Sequence, residues 1–367
     1  MTEKRKNIVT LCLLGAFLFG FGVWSLVRPA DEFSLSERRP LEQLPALSAQ
    51  DVLSGAYMQK LELYATDQFP LREQWRTLKA VFSYYALGQT DNNGVYLSGG
   101  SAAQLDYPLN DGSVSYAADR FQTLYDKYFA GTEAKLYLSV VPDKNYFLAA
   151  EAGAPTMDYA ALVDSLRAQT GAYTYVDLFD LLSAGDYYAT DSHWRQECLT
   201  AVAERLGAAM GADVTAEYEE KTLDVPYYGV YYGYAALPMP ADTIRYLTNP
   251  TLDACTVYHY ETDKTTSGVY DFEKAAGKDP YELFLSGSES LLRVENPNAT
   301  TTRELIVFRD SFGSSLAPLL VEGYAAVTLV DIRYLSSELL GRYLDINDQD
   351  VLLLYSTSVL NNSEALK

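Results

Sequence analysis

Only two histidines, His193 and His259, occur in this chain of 367 residues, so acid–base chemistry by an imidazole near neutral pH has two places to reside. His193 lies in Asp191-Ser-His-Trp194. In an extended segment, residues two apart point to the same side, which brings the Asp191 carboxylate within reach of the His193 ring. A carboxylate on one ring nitrogen fixes the tautomer and leaves the other nitrogen as a base toward a hydroxyl. The candidate hydroxyl is Ser311, in Glu304-Leu-Ile-Val-Phe308 followed by Arg309-Asp-Ser-Phe-Gly313. There an apolar run passes through a polar turn into a helical stretch, whose first N–H groups offer oxyanion donors. Each motif alone has a plainer reading: Asp310 or Ser311 as a helix cap, His193 as a structural histidine tied to its neighbour. Together they describe a serine nucleophile with a base and an orienting acid. Asp and His also ligate metals, but no third and fourth ligand stand at a persuasive spacing, and neither a metal nor another cofactor is expected. His259, in Val257-Tyr-His-Tyr260, reads as an ordinary histidine of a strand-like run.

The elements that must hold such a set are visible as short apolar or β-branched runs at 94–97, 135–141, 173–178, 304–308, 325–330 and 351–355, separated by helical stretches. That alternation predicts an α/β fold, a parallel sheet flanked by helices. Ser311 then falls just past the carboxyl end of a strand, where α/β proteins bind ligands. Behind His193, Leu199, Val202, Ala203 and Leu206 repeat at helical spacing. Residues 213–302, rich in Tyr, Gly and Pro and including Tyr227, Tyr228, Tyr231, Tyr232 and Tyr234, fit neither pattern and are expected to form an insertion over or beside the ligand edge. The chain's 31 tyrosines serve packing or provide stacking platforms for sugar rings.

Residues 8–27 carry no charge and follow Lys4, Arg5 and Lys6. Such a run spans roughly 30 Å as a helix, enough for a bilayer core. The basic flank places the N-terminus in the cytoplasm and everything after Arg28 outside. With no small-x-small site directly after the run, an uncleaved single-pass anchor in the cell membrane is expected in preference to a signal peptide. The expected organisation is a cytoplasmic tail (1–7), an anchor (8–27), a helical stalk (28–90) and an α/β domain (91–367) with its insertion at 213–302. In the stalk, Tyr57, Leu61 and Tyr64 stand at helical spacing, Phe69-Pro70 breaks the pattern, and a second helical stretch covers 75–87. A formal net charge of -21 excludes a protein that wraps nucleic acid. Cys12, Cys198 and Cys255 are too few for a disulfide framework, allowing at most one bridge between Cys198 and Cys255.

At the two motifs the sequence resembles the DHHW family, a group related to the alginate O-acetylation proteins AlgX and AlgJ with SGNH-hydrolase-like domains. Asp191-Ser-His-Trp194 matches the family signature and Arg309-Asp-Ser-Phe-Gly313 its nucleophile turn; Ser36-Glu-Arg-Arg-Pro40, Asp67-Gln-Phe-Pro-Leu-Arg72 and Val141-Pro-Asp-Lys144 are weaker echoes. Ser192 and Arg309 depart from the pattern, standing where the family name has His and where the esterase turn has Gly. The resemblance implies an SGNH-like fold with Ser311 as nucleophile, His193 as base, Asp191 as its orienter and Asp310 as part of the serine turn. It also implies acetyl transfer to an extracytoplasmic polysaccharide, with the acetyl group delivered by a multi-span membrane O-acyltransferase. Lys144, Tyr188, Trp194, Tyr228 and Tyr232 are the candidates for contacting substrate. The same triad would serve a carbohydrate esterase, and a glycan-binding module that retained only the fold is a further alternative.

Overall fold

Apolar side chains on every side make Glu3–Val27 a single helix of 25 residues with none buried, and by length and composition it is able to cross a membrane. It belongs to the first of two units in the computed structural model, which describes residues 2–367. That unit comprises the chain up to Asn93 with Tyr232–Pro238; the second comprises Gly94–Tyr231 with Met239–Lys367.

In the first unit, β1 (Phe33–Ser34) pairs antiparallel with β2 (Arg39–Pro40). Helices Ala56–Asp67 and Arg72–Val81 follow, the latter running on as a π-helical turn at Phe82–Ala86. Between them the chain reverses at Pro70, and Leu71 adopts a left-handed φ of 60°. Two sequence echoes meet here. Arg39 reaches the Asp67 carboxylate with both terminal nitrogens, at 2.8 and 2.7 Å, while Arg72 lies 2.6 Å from Glu37. The Arg39 hydrogen bonds hold the Asp67 carboxyl down to about 2.

The second unit contains the hairpin β3 (Val95–Ser98) with β4 (Ser101–Gln104), the ribbon β7 (Glu219–Tyr227) with β8 (Asp242–Thr248), and an eight-stranded sheet. The sheet strands in chain order are β5 (Lys135–Val141), β6 (Thr174–Tyr175), β9 (Thr256–His259), β10 (Lys264–Ser267), β11 (Leu291–Glu295), β12 (Glu304–Arg309), β13 (Ala326–Val330) and β14 (Asp350–Ser356). Their spatial order is β10-β9-β11-β13-β12-β14-β5-β6. The five strands from β13 to β6 are parallel; β11, β9 and β10 extend the sheet antiparallel. The sheet is therefore mixed, because the 213–302 stretch contributes three of its strands. The run at 94–97 stands apart from it, in the β3–β4 hairpin.

Alternate residues sort to opposite faces, as strands covered on both sides require. Leu305 and Val307 of β12, with Leu352 and Leu354 of β14, enter one buried cluster with Val202, Leu206, Leu316 and Leu320. Ile306, Phe308, Leu353 and Tyr355 enter the other, with Phe121, Leu124 and Leu162. Helix Phe312–Leu320 links β12 to β13 as a βαβ unit, so the turn carrying Ser311 emerges at the carboxyl edge of the parallel strands.

Candidate active site

β12 delivers Arg309 and Asp310 to that edge, and the chain turns at once into helix Phe312–Leu320. Both Asp310 carboxylate oxygens are taken by backbone: Oδ1 accepts the Phe312 N–H at 3.0 Å, and Oδ2 accepts the Ser356 N–H, at the end of β14, at 2.7 Å. The Gly313 N–H turns to the Asp310 carbonyl at 3.1 Å. Asp310 thus caps the helix, while Ser311 makes no side-chain cap bond; its Oγ lies 2.7 Å from His193 Nε2. Of the Ser311, Phe312 and Gly313 amides, only that of Ser311 is not engaged by Asp310, which narrows the oxyanion donors expected at this helix start.

Gly313 is required by close packing, since a Cβ there would fall 2.6 Å from the Cβ of Arg309. Arg309 itself is not among the left-handed residues, so the turn does not need the glycine of the esterase pattern for its backbone. The Arg309 guanidinium runs inward, 3.1 Å from the Gly287 carbonyl, 3.3 Å from that of Glu289 and 3.9 Å from Asp331. Burial lowers its proton affinity, and Asp331 opposes that effect.

Tyr187 and Trp194 pair as an isolated bridge, and the Tyr188 N–H donates to the His193 carbonyl at 3.1 Å. The residues between form a tight loop rather than an extended strand. Asp191 and His193 meet through this bend: Asp191 Oδ1 accepts the His193 N–H at 3.0 Å and lies 2.5 Å from His193 Nδ1. Asp191 Oδ2 accepts the Val230 N–H at 2.8 Å. The His193 ring stacks on Tyr281, with centroids 4.1 Å apart and planes at 16°. Tyr281 Oη in turn lies 2.8 Å from Ser315 Oγ, which accepts from Trp194 Nε1 at 2.9 Å.

The loop is braced from distant parts of the chain. Asp242 accepts the N–H groups of Ala189 and Thr190 at 2.8 and 2.7 Å and the Thr190 hydroxyl at 2.5 Å. The Gly229 N–H donates to Thr190 Oγ1 at 2.9 Å. Gly229 lies so near that a Cβ there would fall 2.2 Å from the Cβ of Asp191. Lys144 Nζ donates to the carbonyls of Tyr188, Ala189 and Asp191 at 2.7, 3.1 and 3.2 Å. Burial drives its pKa down to about 7 against the pull of Asp191 and Asp242. All three bonds exist together only in the ammonium form, and one is given up when the group loses its proton.

Of the residues offered above as substrate contacts, Lys144, Tyr188 and Trp194 are buried: Lys144 braces the loop through its carbonyls, and the rings of Tyr188 and Trp194, at the two ends of the loop, pack inward on Tyr227 and Phe312. Tyr228 is at the surface, 44% exposed, and Tyr232 belongs to the first unit. Asp242, Gly229 and Tyr281 escaped sequence reasoning; only Gly229, a glycine between a tyrosine pair and Val230, carries a local hint. His259 bonds Glu289 and Thr266, each at 3.0 Å. All three cysteines are free thiols.

A serine at a strand-to-helix turn, bonded to a histidine that a buried aspartate holds, defines the class: an α/β protein with a hydrogen-bonded Ser-His-Asp set at the carboxyl edge of its sheet. No protein-family model and no curated protein matches the chain. Among solved structures, it is similar to a DHHW family protein from Eubacterium siraeum, with a TM-score of 0.61 and 20% identity over 75% of this chain and 95% of that one. It is also similar to Bacillus cereus PatB1 with a sulfonyl adduct, with a TM-score of 0.56 and 15% identity over 72% and 95%. A looser likeness, with a TM-score of 0.44 and 14% identity over 73% and 92%, is to the O-acetyltransferase domain of Pseudomonas putida AlgJ. The fold is that of the DHHW family protein and PatB1.

Proposed function

We propose that this protein is an extracytoplasmic O-acetyltransferase that moves an acetyl group onto a polysaccharide through a covalent Ser311 intermediate. The observation that carries this reading is the continuous bond path from Asp191 Oδ1 through the His193 ring to Ser311 Oγ, at 2.5 and 2.7 Å. Ser311 Oγ attacks the acyl carbonyl carbon as His193 Nε2 takes its proton. The Ser311 N–H, left open by Asp310, faces the developing oxyanion. Collapse of the tetrahedral intermediate expels the donor's leaving group, which takes the proton from His193. A sugar hydroxyl then attacks the Ser311 ester, losing its proton to His193, and Ser311 departs with that proton. Asp191 stabilises the imidazolium at both proton transfers.

Residues 8–27, within helix Glu3–Val27, serve as the single-pass membrane anchor, with the chain after Arg28 outside the cytoplasm, beside a membrane-bound O-acyltransferase that delivers the acetyl group. Tyr228 offers an exposed ring to the acceptor. The reading is tested by incubating the full chain in detergent with p-nitrophenyl acetate and neutral oligosaccharides, and following acetyl on sugar against free acetate. Acetylated sugar that disappears with Ser311→Ala supports transfer; free acetate alone with every acceptor turns the reading to an esterase, and neither product refutes both.

A further inference from the structure

Trp75, Leu78, Phe82 and Tyr85 follow one another at three- and four-residue steps along Arg72–Val81 and its π-helical continuation, a spacing that places them on one face. They are 36%, 57%, 57% and 66% exposed. A soluble helix buries such a stripe, yet here it is the flank beside the stripe that is tied down. Arg72 and Arg76 lie 2.6 and 3.4 Å from Glu37. Lys79 Nζ lies 2.5 Å from Asn92 Oδ1, and Arg76 donates to the Gly233 carbonyl at 2.6 Å. These bonds fix the rotation of the helix and turn its apolar face outward.

The occupant of that face is set by what the helix touches. The Trp75 ring lies 6.1 Å from Phe17 and 6.0 Å from Phe21 of the N-terminal helix, and Phe69 stacks on Phe21 at 5.4 Å. Phe21 precedes the helix end at Val27 by six residues, about 9 Å along the axis at the rise of an α-helix. Rings in contact with Phe21 share that depth. We infer that the stripe from Trp75 to Tyr85 is a membrane-docking face, lying in the outer leaflet beside the anchor with lipid as its partner. Trp75, held against Phe17 and Phe21, lies below the headgroups among the acyl chains, and Leu78, Phe82 and Tyr85 continue its apolar face toward lipid as the buried side of an amphipathic helix does. The inference rests on the reading of residues 8–27 as an anchor.

The chain's three tryptophans separate the two claims. Trp194 is fully buried and gives a constant background; Trp24 lies in the anchor and Trp75 in the stripe. The full chain is reconstituted in phosphatidylcholine–phosphatidylglycerol vesicles with and without bromine on the acyl chains. In Trp24→Phe, the remaining exposed indole is Trp75. Its emission is expected to be blue-shifted and quenched more by bromine along the acyl chain than by bromine next to the headgroup. In Trp75→Phe, quenching of Trp24 reports the anchor. Quenching in Trp75→Phe but none in Trp24→Phe overturns the docking face with the anchor intact, leaving the stripe to water or a protein. Quenching in neither removes the anchor and the inference together.

Discussion

Ser311 is available for chemistry because its neighbour does the capping. Asp310 takes the Phe312 N–H with its carboxylate and the Gly313 N–H with its carbonyl, and Ser311 Oγ, which makes no cap bond, turns to His193. Asp191 is the most demanding member, since one carboxylate binds the imidazole, the His193 amide and the Val230 amide. Asp191→Asn preserves size but favours the wrong tautomer, and is expected to lower kcat for p-nitrophenyl acetate by about 10³–10⁴-fold, with a lowered thermal midpoint because its NH2 group faces a backbone N–H that an oxygen now accepts. Lys144 acts one layer deeper. Lys144→Met leaves three carbonyls without a donor and is expected to cost about 1–3 kcal/mol in urea unfolding. The Lys144 pKa of about 7 lies below the ordinary 10.5, so between those values the unfolded chain binds a proton that the folded chain does not. The wild type therefore gains stability as pH rises through that window, and Lys144→Met lacks this slope. Parallel slopes in the two proteins would contradict it.

At the scale of elements, the site depends on three pieces of chain brought against one loop: Val141-Pro-Asp-Lys144 after β5, Gly229-Val230 after β7, and Asp242 at the start of β8. Gly229→Ala would drive a methyl into Asp191. A displacement near 1 Å at a catalytic group costs about 10²-fold, and a kcat loss of that order is expected, with KM for the ester little changed. The same contrast separates what was legible in the sequence from what was not. β5, β12, β13 and β14 were readable because nearly every residue is buried and apolar. β9 alternates buried with half-buried residues and β10 is wholly exposed, so their Thr, Tyr and Lys gave no apolar run and the sheet's antiparallel extension was missed. Asp191 and His193 are visible as a pair because two residues separate them, although a bend joins them and not strand alternation. Asp242 and Gly229 act across tens of residues with no motif, and only the folded chain reveals them.

At the scale of the molecule, a net charge of -21 sets which polymers approach readily. Like-charge repulsion slows encounter with a polyanion and is screened over about 10 Å at 0.1 M salt. If the acceptor is a polysaccharide, acetylation of an acidic polymer is expected to rise with ionic strength while that of a neutral one stays level; an acidic polymer favoured at low salt would indicate a local basic surface. The central claim is that Ser311 becomes acylated. Intact mass of the full chain after p-nitrophenyl acetate, compared with Ser311→Ala and His193→Ala, tests it most directly. The account predicts one added acetyl group in the native protein and none in either variant; a folded native protein with no adduct and no turnover, or an adduct that persists in Ser311→Ala, would contradict it.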